Sequence, residues 1–225
     1  MMDSTALLTL LQLTSPALPV GAYSYSEGLE TLVDRGSISA VGDLQLWLIE
    51  SLAIGAISLE VAILIRAYRA ECQGDRDMVM YWNQWLSATR ETAELQQQNW
   101  QMGRSLLKLL QDLYPRADWS GWSMTADWNL AIVFARAAQL AQIDESTATL
   151  GYLHSWASNM VSAGVKLIPL GQTAGQQLLL QLAEPIATCA ARARDLPDDR
   201  LFCCSWGLAL ASMAHETQYS RLFRS

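Results

Sequence analysis

The fold turns on the run Val165-Lys166-Leu167-Ile168-Pro169-Leu170-Gly171-Gln172-Thr173-Ala174-Gly175-Gln176, which lies between two long apolar segments of helical spacing. Proline donates no amide hydrogen bond and its ring collides with the preceding turn, so a helix arriving through Val165 ends or kinks near Ile168. Gly171 can supply a backbone angle closed to other residues, and Gly175 leaves room for another segment to come close. The run reads as a helix–turn–helix corner. As a plain corner it needs no function, and Lys166 is then simply a solvated charge.

Downstream of the corner, Ala174 to Ala183 is helical, and Pro185 either kinks that helix or opens a new one in its first turn. Leu196-Pro197-Asp198-Asp199 is the next loop, with Asp198 or Asp199 placed to cap a helix from Arg200 to about Ala214. Upstream, Asp144 caps the helix that enters the corner. A helix from about Asp127 to Gln142 precedes it, after the Trp-rich loop Asp118 to Met124. Thr89 begins a helix from Arg90 to Leu113, closed by Tyr114-Pro115, and Gly74-Asp75-Arg76-Asp77 precedes one carrying Met78, Tyr81, Trp82 and Trp85.

The longest apolar segment runs from Val41 to about Cys72, capped by Ser39, with Gly55 placed to bend it or to admit a close neighbour. Ser24-Tyr25-Ser26-Glu27 has capping-box spacing and starts a helix that Gly36 stops after Arg35. Met1 to Leu13 is a short apolar helix closed by Ser15-Pro16. Neither a fixed-period repeat nor an alternating strand interrupts the pattern. The expectation is an all-α fold, with residues 1–225 forming a single-domain bundle of roughly eight to ten helices, counted from the breaker signals.

Composition agrees with a packed bundle. Hydrophobic residues make up 51% of the chain and charged ones 16%, which excludes a disordered chain. The net charge of -7, with no basic stripe, argues against nucleic acid as a partner. Leu46 to Ile65 is apolar enough to resemble a membrane span, but Glu50 and Glu60 fall inside it, so it reads as a core helix and no membrane is expected. Cys72, Cys189, Cys203 and Cys204 form no Cys-x-x-Cys pair, which fits a reducing cytoplasm, and no basic leader precedes the first apolar stretch. Nine tryptophans are many to bury in one small helical chain, and aromatic anchors favour interfaces, so a homodimer is expected.

Catalytic chemistry is thinly represented. His154 and His215 lie on separate segments, and Ser155 beside His154 points about a hundred degrees away on a helix, which prevents a relay. His154 reads as a packed or capped histidine and His215 as a surface one. Cys203-Cys204 diverge on a helix rather than chelate, and no Glu-x2-His or His-x3-His spacing accompanies them. Asp198-Asp199 lacks the longer acidic spacing that holds magnesium diphosphate in helical enzymes, and no phosphate-binding Gly-x4-Gly-Lys loop is present. No catalytic residue, metal or cofactor is expected.

The C-terminal segment, 214–225, is different. Tyr219, Leu222 and Phe223 are apolar, and Arg221 and Arg224 cationic, on a stretch too short to form a stable helix alone. With few sequence neighbours to bury these side chains, the segment reads either as a frayed end or as a tail that orders on a partner.

Three stretches together resemble one family. Lys166 to Gln176 is similar to the central motif of the urease accessory protein family UreF. Leu13-Thr14-Ser15-Pro16-Ala17-Leu18-Pro19-Val20-Gly21-Ala22-Tyr23-Ser24-Tyr25-Ser26-Glu27-Gly28-Leu29-Glu30 resembles its Pro-Gly-aromatic-Ser opening, and His215 to Ser225 its C-terminal signature. Ala22-Tyr23 stands where Gly-Phe is common. Ala209 and Ala214 stand where the family often carries an acidic and a basic residue.

The resemblance implies a compact helical, dimerising, non-catalytic adaptor of urease maturation. It would bridge UreD (also called UreH) to the GTPase UreG and attach with them to apo-urease for nickel insertion. Carried over by motif, Lys166, Gln172, Gln176, Tyr25, Glu27 and Glu30 fall on the GTPase side. His215, Glu216, Tyr219, Arg221, Leu222, Phe223 and Arg224 fall on the UreD side. Lys166 is the foremost GTPase contact, a point charge beside a rigid corner. The alternative reading is a GTPase-activating or GTPase-regulating protein that offers Arg221 or Arg224 to the transferring phosphoryl group.

Overall fold

The computed structural model describes residues 3–203 and 205–225. Among these residues there are eleven α-helices and two short 3-10 turns, with no strand. The all-α reading holds. Two helices read as continuous or ambiguous divide in the fold, at Gly55 and at Leu182, and these breaks raise the count.

The chain begins with α1 (Ser4–Leu13), whose Thr5 amide is met by the Asp3 carboxylate; Met1, Met2 and Cys204 lie outside the described residues. The expected capping box at 24–27 does not form. Instead Ala22–Ser24 makes a 3-10 turn, Glu27 and Gly28 both take left-handed backbone angles, and α2 (Leu29–Asp34) starts two residues later. An added Cβ on Gly28 would stand 3.2 Å from the Ala211 Cβ, so glycine there also admits a neighbouring helix.

The long apolar segment is two helices, α3 (Val41–Ile54) and α4 (Ala56–Gln73), bent by 41°. The cause is Gly55: an added Cβ would lie 2.7 Å from the Ser51 carbonyl oxygen. Asp43 caps the start of α3, accepting from the Ser39 and Ala40 amides. No single helix among the described residues is long and apolar enough to cross a membrane.

α4 is the axis of the bundle. Val61, Ala62, Ile63 and Leu64 are all fully buried, the pattern of a helix covered on every side. It is packed by α5 (Arg76–Ala88), α7 (Leu130–Leu140), α8 (Glu145–Leu167) and α10 (Ala183–Asp195). The alanines of α7 let it approach α4 closely. α6 (Ala93–Leu113), capped by Thr92 rather than Thr89, lies against the start of α7. Gly103 makes that contact possible, since a Cβ there would stand 1.9 Å from the Trp128 carbonyl oxygen.

At the corner, α8 ends at Leu167 and Ile168 turns into extended backbone. Gly171, expected to supply an unusual angle, has φ -72 and ψ 152, open to any residue. Gly175 does serve close approach: its missing Cβ would meet Val165 Cγ2 at 2.7 Å as α9 (Gln172–Gln181) folds back on α8. The helix expected from Arg200 starts later. Asp198–Arg200 is a 3-10 turn, and α11 runs from Trp206 to His215. Asp198 is drawn off by Arg66 of α4, whose Nε donates to it at 2.7 Å, so it caps nothing.

Candidate docking site

The three motif stretches meet on one side of the bundle. After α11 the chain folds back over α2 and then pairs with residues 24–26. The Arg224 amide donates to the Ser24 carbonyl at 2.8 Å, and the Ser26 amide to the Ser225 carbonyl oxygen at 2.6 Å. The Ser26 hydroxyl donates to that same oxygen at 2.7 Å.

Glu30 is the clasp. Its carboxylate accepts the Leu222 amide at 2.6 Å and the Phe223 amide at 2.9 Å, and lies 3.4 Å from His215 Nε2. His215 Nδ1 lies 2.9 Å from Glu94 of α6, so both ring nitrogens face carboxylates. Further along the seam, the Thr31 hydroxyl donates to Gln218 at 3.0 Å, and Thr92 and Ser212 share a hydroxyl contact of 2.8 Å.

This arrangement corrects two expectations. His215 is fully buried, not a surface histidine, and its ring faces Glu30 and Glu94 on two other helices. Nor does Phe223 wait for a partner: it is buried in the protein's own core, with Lys166 Nζ 5.5 Å from the centre of its ring. Lys166 is thus exposed but not isolated. His154, read as packed, is exposed.

The rest of the tail remains bare. Tyr219 is fully exposed and Leu222 mostly so, as are Glu216, Arg221 and Arg224, with Arg221 reaching Glu94 at only 3.8 Å. They adjoin a stripe that the sequence reading missed. Phe202, Trp206, Leu210 and Met213 are each more than half exposed, the last three at i, i+4 and i+7 on the outer side of α11. Its inner side carries small residues, Ala209, Ala211 and Ser212, packed near Gly28. α11 is apolar on both faces, so its sequence does not say which face is covered.

Across the seam, Gln172 and Gln176 are exposed and line a groove of about 220 Å³ with Tyr23, Ser155 and Asn159. Tyr25 and Glu30 are buried, which makes them supports of the tail rather than a free surface. Glu27 stands behind them, accepting from Trp156 Nε1 at 3.1 Å and Gln98 Nε2 at 3.4 Å. Burial, opposed by the Trp156 hydrogen bond, raises its carboxyl above the usual range; the nearby Glu60 charge pushes the same way. Glu60 is itself buried and paired with Arg90, and the Tyr152 hydroxyl donates to it.

No group of three or more His, Cys, Asp or Glu residues suited to a metal occurs among the described residues. Cys203 instead directs its thiol at Glu91, 3.6 Å away, and burial raises it to about 11.

Comparison with known proteins gives one consistent result. A family profile described as UreF matches residues 38–183. The chain is 58% identical to the urease accessory protein UreF of Microcystis aeruginosa over 225 residues, the whole of both chains. It is 56% identical to that of Trichormus variabilis, covering 97% of this chain and 95% of the relative. With that of Alkalilimnicola ehrlichii it shares 43% identity, covering 96% and 94%.

Proposed function

The chain belongs to the UreF family of urease accessory proteins, and from that premise we propose that it is a non-catalytic adaptor joining UreD to the GTPase UreG on apo-urease. The observation that carries the reading is the two-sided character of the terminal segment. Its inner side is fixed by Glu30, Glu94 and Ser26, while its outer side presents Trp206, Leu210, Met213, Tyr219 and Leu222 to solvent. An apolar stripe held rigid before binding loses little entropy on docking. UreD is assigned to this stripe. UreG is assigned to the neighbouring exposed residues of the corner, Lys166, Gln172 and Gln176.

Tyr25, Glu27 and Glu30 act from behind, keeping the tail and the corner in register. The protein works as a cytoplasmic homodimer, and Leu7, Leu8 and Leu11 on the exposed side of α1 offer apolar area for self-association. Co-purification of the chain with UreD and UreG tests the assignment. Trp206→Ser with Leu210→Ser should lose UreD, and Lys166→Ala should lose UreG alone. Loss of neither partner would remove the assignment. GTP hydrolysis by UreG should not accelerate when the chain is added; acceleration dependent on the exposed Arg224 would instead make it a GTPase activator.

A further inference from the structure

The elbow between α3 and α4 leaves a groove of about 200 Å³ that the family motifs do not explain. Its walls include Trp47 and Trp156, its polar groups include Glu27, Glu50 and Ser205, and no lysine or arginine lines it. Glu27 is the unusual member. Its hydrogen-bond partners, Trp156 and Gln98, are neutral. Arg90, the guanidinium whose charge acts on it, is paired with Glu60. The Ser205 hydroxyl is buried and stands beside the Cys203 thiol. The groove therefore combines two carboxylates that form no ion pair among the described residues with two indole walls.

We propose that this groove receives an arginine side chain of the UreD-type partner that docks along α11. The proposal rests on the adaptor reading for the partner's identity, but the chemistry of the groove stands apart from it. A guanidinium is planar, is more weakly hydrated than an ammonium, and can stack on an indole while forking toward carboxylates. Trp156, held by its N–H bond to Glu27, is oriented for that purpose. Continuity selects the partner: Ser205, Gly207 and Leu208 form one wall of the groove and the first turn of α11. A protein lying along Trp206 and Leu210 arrives at its mouth.

The test uses the full-length chain with labelled tryptophan indoles, titrated with N-acetyl-arginine amide and with its neutral isostere N-acetyl-citrulline amide. Trp47 and Trp156 should shift saturably with the arginine probe only. The double variant Glu27→Gln, Glu50→Gln should weaken that binding at least ten-fold while melting no lower than the parent. Equal shifts with citrulline, no shifts, or an unchanged titration in the double variant would overturn the groove. UreD binding is then compared between parent and double variant. A ten-fold or greater loss supports the proposal, and equal binding overturns it while leaving the adaptor reading intact. If the parent itself fails to bind UreD, the adaptor reading and the assignment of the arginine to UreD fail together.

Discussion

The bundle's axis and its terminal seam are held by different balances of contact. Around α4 the bulk of the packing is apolar, with Val61 to Leu64 fully buried, and its buried charges Glu60, Arg66 and Glu71 are each matched by an ion pair. Along the seam, buried residues are satisfied by named polar partners: Glu30 by two amides, His215 by two carboxylates, Ser26 by the Ser225 oxygen. Apolar packing is tolerant of pH and intolerant of volume, whereas buried polar contacts are specific in direction and fail when one member is removed. The axis should therefore govern whether the protein folds. The seam should govern whether the folded protein has its docking surface.

The sharpest way to break that contrast is Gly103→Ala. Helix propensity alone would favour alanine by about 1 kcal/mol. The close approach of the Trp128 carbonyl predicts instead a net loss of about 3 kcal/mol or more, because backbone must move. Thermal unfolding by circular dichroism decides, and a raised melting temperature would deny the close approach.

Glu30→Ala comes next, at about 2–4 kcal/mol, since two amides and a buried imidazole lose their acceptor. Here the expected unfolding is local. Hydrogen exchange should quicken at Leu222 and Phe223 while α4 stays protected, and uniform acceleration would show that seam and axis are one cooperative unit.

Glu27→Gln should move stability upward. The folded carboxyl sits above its unfolded value, so the stability tied to its protonated form is present at acid pH and is lost as pH rises through the folded value. The variant's advantage should accordingly grow from acid toward neutral pH. Melting curves across that range would refute the sign if the gap narrowed.

Lys166→Ala should cost only about 0.5–1 kcal/mol, the contribution of an exposed cation over the Phe223 ring. Trp206→Ser should cost least, within about 0.5 kcal/mol, while removing partner binding. A large destabilisation there would mean that the outer side of α11 is structural.

Much of the axis was legible because its signals are local. Pro169, Asp144 and the Gly55 position each act on neighbours a few residues away, and Gly175 acts on Val165 just across the corner. Gly171 was credited with a conformation it does not adopt, since glycine permits an angle without requiring it. The seam was barely legible. His215 meets Glu94 and Glu30 across sequence separations of 121 and 185 residues, so no spacing rule could have paired them. Phe223 was read as lacking a burial site for the same reason: its amide is met by Glu30 and its ring by Lys166, both far from it in sequence. The left-handed pair Glu27-Gly28 overrode a capping-box spacing that was present in the letters but not in the geometry.

The bond from the Ser26 hydroxyl to the Ser225 oxygen closes a loop of 199 residues, and this has a consequence for synthesis. Residues 24–30 leave the ribosome early and find their partners only when residues 212–225 follow. Loops of this span close slowly, after nearer contacts have formed. The helices of the axis can assemble while translation proceeds, but the rigid outer stripe of α11 and the tail exists only on a chain translated through Ser225. A nascent chain still short of residues 212–225 would carry a folded interior while residues 24–30 wait unpaired at the seam.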